Sequence, residues 1–83
     1  MIHDLKTWPY YYHVISRNLQ NFDVRNNDRR FTVGDTLRLR EWNGKKEEYT
    51  GRSCLRKVTY ILDEPDFVKE GFVVMGIKAE AKP

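Results

Sequence analysis

Asp23 and Arg25 stand two residues apart in the run Asn-Phe-Asp-Val-Arg at 21–25, and Asn27, Asp28, Arg29 and Arg30 follow directly. On a strand, alternate side chains leave the same face about 7 Å apart, so this carboxylate and guanidinium would project together. A planar fork of five N–H donors beside an acceptor can clamp a phosphate or read the edge of a nucleobase. The same residues also suit a scaffold. Asp28 can pair with Arg25 or Arg29, and Asn26 and Asn27 tolerate left-handed turn geometry. Residue types alone leave both readings open.

Other chemistry is thinly represented. No Gly-rich phosphate loop and no G-x-S-x-G nucleophile turn occurs. His3, His13 and Cys54 are too few for a zinc knuckle or ribbon, so no metal and no other cofactor is expected. Cys54 has Arg52 and Arg56 as near neighbours, which can lower a thiol pKa, although a structural Cys is the commoner case. His13 falls off the apolar stripe of a helix and is expected in solvent. His3, near Lys6 on a short strand, can reach the mouth of a barrel or take a hydrogen-bonded structural role. Among Tyr10, Tyr11 and Tyr12, the last shares a helix face with Trp8 and belongs in the core, leaving the other two for base stacking.

These groups need elements to hold them. The stretch TWPYYYHVISRNL predicts a helix, with Thr7 as N-cap and Pro9 in the first turn. Trp8, Tyr12, Ile15 and Leu19 form its stripe, and Asn18 offers a left-handed exit. From residue 22 the period becomes two. Phe22 and Val24 oppose Asp23 and Arg25, while Leu37 and Leu39 oppose Arg38, Arg40 and Trp42. Gly34 supplies a turn, Asn43-Gly44 marks a hairpin, and CLRKVTYIL reads as a central strand. The segment GFVVMGIKA closes the series with Val73, Met75 and Ile77 on one face. The chain MIHDLK adds a short strand at the start. The expected fold is mixed α+β but mostly β: a closed or nearly closed barrel of about five to six strands, plugged by one N-terminal helix.

At 83 residues the chain has room for a single domain, 1–83, whose stability leans on two Trp, five Tyr and four Phe. Net charge is +3 but uneven, with 12 Lys and Arg against 7 Asp and Glu in residues 1–62, and 3 against 5 thereafter. A moderately basic body with an acidic end permits polyanion binding without demanding it. No apolar run spans a membrane and no signal-peptide layout opens the chain. One Cys allows no internal disulfide, which suits a cytoplasmic monomer without membrane or metal partners.

Six ordered segments, HDLK (3–6), NDRRFTVGD (27–35), LRLREW (37–42), YTGR (49–52), VTYIL (58–62) and GFVVMGI (71–77), resemble the small bacterial and phage ASCH-like domains of the PUA-like superfamily. The resemblance implies a mixed β-barrel with an N-terminal helix. It also implies a cleft between the two that takes RNA or a modified nucleoside. The ASCH signature G-x-K-x-x-E-x-R aligns with Asn18 to Arg25. Arg25 is identical, Asp23 replaces Glu, Asn18 replaces Gly, and Gln20 replaces Lys. Some relatives resemble amidohydrolases acting on acylated cytidine through that lysine. Gln20 carries neither a titratable proton nor a charge, so it can neither abstract a proton nor offset an oxyanion.

The function expected is therefore RNA or nucleotide binding, through His3, Lys6, Asp23, Arg25, Asn27, Asp28, Arg29 and Arg40. Arg25 would hold a phosphate or base carbonyl, Asp23 would orient it, and Arg29 would guard the rim. Arg38, Arg40, Arg52 and Arg56 would add phosphate contacts. One alternative is a small hydrolase of a modified nucleoside, using Lys6 or His3 to move protons. Another is an interaction module whose edge strand pairs with a partner chain.

Overall fold

The computed structural model describes residues 1–80, which form five strands and one short helix. In chain order these are β1 (Ile2–Thr7), α1 (Pro9–Ser16), β2 (Phe22–Asn26), β3 (Thr36–Asn43), β4 (Glu48–Leu62) and β5 (Phe72–Ala79). All five strands share one sheet in the order β1-β3-β4-β5-β2. The β1–β3 pair is parallel and the other three pairs are antiparallel. The helix is therefore the crossover that a parallel connection requires, although it follows the first strand rather than opening the chain.

Alternation decides the faces. Leu5, Leu37, Leu39, Val58, Val73, Met75 and Ile77 point inward and join Ile15 of α1 and Phe31 in one core. The sheet curls around that core into a half-barrel, bringing its two edges, β1 and β2, to face each other. Side chains join these edges: Arg25 of β2 donates to the Lys6 carbonyl of β1. A register shift between Arg40 and Trp42 and another between Val58 and Tyr60 help the long strands bend.

The helix differs in detail from its sequence pattern. Trp8, not Thr7, is the N-cap, and no side-chain hydrogen bond caps it. Thr7 remains strand, buried in the seam between the edges. Tyr12 and Ile15 are the buried residues of α1, whereas Trp8 and Leu19, which flank the helix at its two ends, are exposed. Asn18 takes the left-handed exit at φ 60° as the pattern predicts.

The C-terminal end of α1 is closed by Arg56, a buried arginine on the inner face of β4. Its Nη2 donates to the Ile15 carbonyl at 2.9 Å and to Asn18 Oδ1 at 3.3 Å. A cation there also complements the helix dipole. The expectation of a phosphate-contacting Arg56 is thereby corrected. Burial pushes the Cys54 thiol up, with the opposing pull of Arg56 too weak to reverse it, so this Cys is not an activated thiol. No helix among the described residues is long and apolar enough to cross a membrane.

Candidate functional site

The strand β2 alternates as its sequence predicts, but its apolar side chains face outward. Phe22 and Val24 are each 49% exposed, whereas Asp23 is 6% exposed. At the edge of a curled sheet the inner face looks across the seam to β1 rather than into the apolar core. Polar groups with partners waiting there are then the ones buried.

Arg25 is that partner. Its Nε donates to Asp23 Oδ2 at 2.7 Å, its Nη1 to the Lys6 carbonyl at 2.7 Å, and its Nη2 to Thr7 Oγ1 at 3.0 Å. Arg29 repeats the device one step along, donating from Nη1 to the Asp4 carbonyl at 2.8 Å. Lys6 and Asp4 are alternate residues on β1, so two arginines take up carbonyls that an incoming strand would otherwise pair with. This is the structural meaning of the basic run after β2.

Arg25 is thus less free than a side chain reaching into open solvent. Three of its five N–H groups have partners within the fold, leaving two for a visitor. The Arg25 side chain as a whole keeps 21% of its surface exposed. Desolvation pushes the Asp23 carboxyl up, and the adjacent Arg25 charge and hydrogen bond offset this only in part.

Two hollows meet at this guanidinium. One of about 480 Å³ runs between β1, the start of α1 and β2, and is lined by Lys6, Thr7, Trp8, Tyr11, Gln20 and the four residues Phe22 to Arg25. Its rim is aromatic, since Trp8, Tyr11 and Phe22 are all substantially exposed. Gln20 is steadied by donating from Nε2 to the Phe22 carbonyl at 2.9 Å. The second, of about 500 Å³, continues past Arg25 to Asp28, Arg29, Phe31 and Phe72.

Of the residues singled out from sequence, Lys6, Asp23, Arg25, Asp28 and Arg29 line these hollows. Asp28 forms no ion pair with Arg25 or Arg29 among the described residues; Arg25 pairs with Asp23 instead. Asn27 serves the loop, its Oδ1 accepting from the Phe31 N–H at 3.2 Å, and Arg30 rather than either Asn takes the positive φ. His3 lies apart from the hollows, buried with Nε2 2.8 Å from Asp35 Oδ2 and edge-on to Phe31. Arg40 stands on the outer face, its guanidinium 3.7 Å from the Tyr49 ring centre. The Lys6 ammonium lies 4.0 Å from the Trp42 ring centre and forms no ion pair with Asp23 among the described residues, so it does not take the missing motif lysine's place. Sequence reasoning missed Trp8, Gln20 and Phe22 as lining residues, having assigned Trp8 and Phe22 to apolar faces. Among the described residues no cluster of His, Cys, Asp and Glu could hold a metal ion.

Comparison with known proteins gives two findings. A family model described as "Domain of unknown function (DUF3850)" matches residues 2–77. The chain is also 28% identical over 82 residues to a protein of Escherichia phage P2 described as "Uncharacterized 12.9 kDa protein in GpA 3'region". That alignment covers 99% of this chain and 73% of the phage protein.

Proposed function

The chain belongs to the DUF3850 family, and we propose that its β1–β2 seam is a binding cleft for RNA, or for a nucleotide within RNA, in a fold of the ASCH-like, PUA-like kind. The observation that carries this reading is the held guanidinium of Arg25. Three internal hydrogen bonds fix its plane at the junction of both hollows, and two N–H donors remain. A donor fork already immobilised loses little further freedom when it grips a phosphate or base carbonyl. Around it, exposed Trp8, Tyr11 and Phe22 offer faces on which an unstacked base can lie. The positions matching the ASCH signature also support the kinship: Gln20, Asp23 and Arg25 line one hollow, and Asn18 turns the chain toward it.

Titrating the protein with uridine monophosphate and short oligouridylates tests the reading. Binding is expected at low salt, weakening as salt rises and falling at least about tenfold in Arg25→Lys, which keeps the charge but not the fork. Affinity indifferent to both salt and Arg25 defeats it.

One observation favours a second reading. Asp23, in the same cleft, has a carboxyl pushed above its usual range, which is a common property of acid–base groups. As a hydrolase of a modified nucleoside the protein would use Asp23 to move the proton, since Gln20 cannot. Release of free cytidine from an acylated cytidine, lost in Asp23→Asn, would establish it; no release by the folded protein would end it.

A further inference from the structure

A third hollow, of about 300 Å³, lies on the other side of Trp8 and is lined by Lys6, Thr7, Trp8 and Trp42. It shares Lys6, Thr7 and Trp8 with the seam cleft, so the two are adjoining rooms divided by one indole. Both indoles are held in place. Trp8 lies against Gly44, where an added Cβ would come within 2.7 Å of its Cζ3. Trp42 meets Tyr49 edge to face with ring centres 5.0 Å apart, and the Lys6 ammonium sits 4.0 Å from its own ring centre. Arg40 covers Tyr49 in turn, so the Trp42–Tyr49 ring pair carries a cation at each end.

We propose that the Trp8–Trp42 hollow is a second base-stacking station, so that the ligand of the seam is a single-stranded segment of at least two nucleotides rather than a free mononucleotide. This rests on the nucleotide-binding reading of the seam and extends it. A base in the seam cleft and a neighbouring base beside Trp42 would flank Trp8. The phosphate joining them then passes Lys6, the one cation among the described residues that lines both hollows. Exposed rings set beside cations are the usual construction of a surface that holds single strands by their π-faces and backbone.

The chain's two tryptophans are Trp8 and Trp42, so each can serve as a reporter. In Trp8→Phe the remaining indole is Trp42. Its fluorescence should be quenched by di- and triuridylate but not by uridine monophosphate. In Trp42→Phe the remaining Trp8 should respond to all three. Independently, Trp42→Ala should weaken triuridylate binding about tenfold, the scale of one lost base–aromatic stack. If Trp42 stays silent with every oligomer while Trp8 is quenched equally by monomer and trimer, the second station is wrong and the seam reading stands. If no probe binds the folded protein, the seam reading itself falls.

Discussion

Asp23 and Arg25 form a pair whose members fail differently when removed. Arg25→Ala leaves a buried carboxylate without its cation and two β1 acceptors without their donor, at a cost of roughly 2–3 kcal/mol for a pair that water still reaches on one side. In an Asp23→Asn background the same change should cost less, and a double-mutant cycle by urea unfolding measures that coupling. The two perturbed aspartates also give opposite pH signatures. Burial leaves Asp23 raised, so the fold takes up its proton more readily than the unfolded chain does. Its contribution to stability therefore grows as pH falls from neutral toward the ordinary carboxylate range, and Asp23→Asn should abolish that growth. For Asp35, desolvation is outweighed by hydrogen bonds from His3, the Thr32 N–H and the terminal amine, leaving the carboxyl lowered. Its contribution is present above the ordinary Asp value and lost as pH falls through the folded one. Asp35→Asn should cost about 1–2 kcal/mol at neutral pH and converge with the parent in acid, as unfolding at several pH values would show.

Among the elements, α1 depends on a distant strand for its ending. Arg56→Met keeps the bulk but removes the donor to Asn18 Oδ1 and one of two donors to the Ile15 carbonyl, which retains the Asn18 N–H, and should cost about 1–2 kcal/mol in chemical unfolding. Gly44 shows how a turn residue is chosen for contact instead of conformation. Its φ is not in the left-handed region. The Trp8 indole fills the space a side chain would need, so Gly44→Ala should displace Trp8, shift its emission and lower stability by about 1 kcal/mol. The strand pattern was legible for β3 and β5, whose buried Leu37, Leu39, Val73, Met75 and Ile77 follow period two. It was legible for β2 in period but not in sign. Alternation says which residues share a face and is silent on whether that face meets an apolar core or a polar seam. Nor does period reveal where a helix begins and ends, and Trp8 and Leu19, one beyond each end of α1, are both exposed.

For the molecule as a whole, β class and one helix were readable from period and turn residues, whereas the parallel β1–β3 pairing was not. That pairing sets the site, because it leaves β1 and β2 as the two edges and turns them toward each other. Local pattern at residues 21–30 located Asp23, Arg25, Asp28 and Arg29. It could not reveal that Arg25 and Arg29 each spend donors on β1 carbonyls, which depends on the curl of the whole sheet. Scaffold and site therefore coincide in one guanidinium: it staples the edges and presents what donors remain. A polyanion bound here should show a salt dependence whose slope falls by about one when one phosphate-contacting cation is removed. The most direct test is titration of triuridylate into the parent and Arg25→Lys proteins by calorimetry, with both confirmed folded by circular dichroism at the working temperature. Saturable binding by the parent, weakened at least about tenfold in the variant, is the predicted result; equal affinities, or none for the parent, would contradict it.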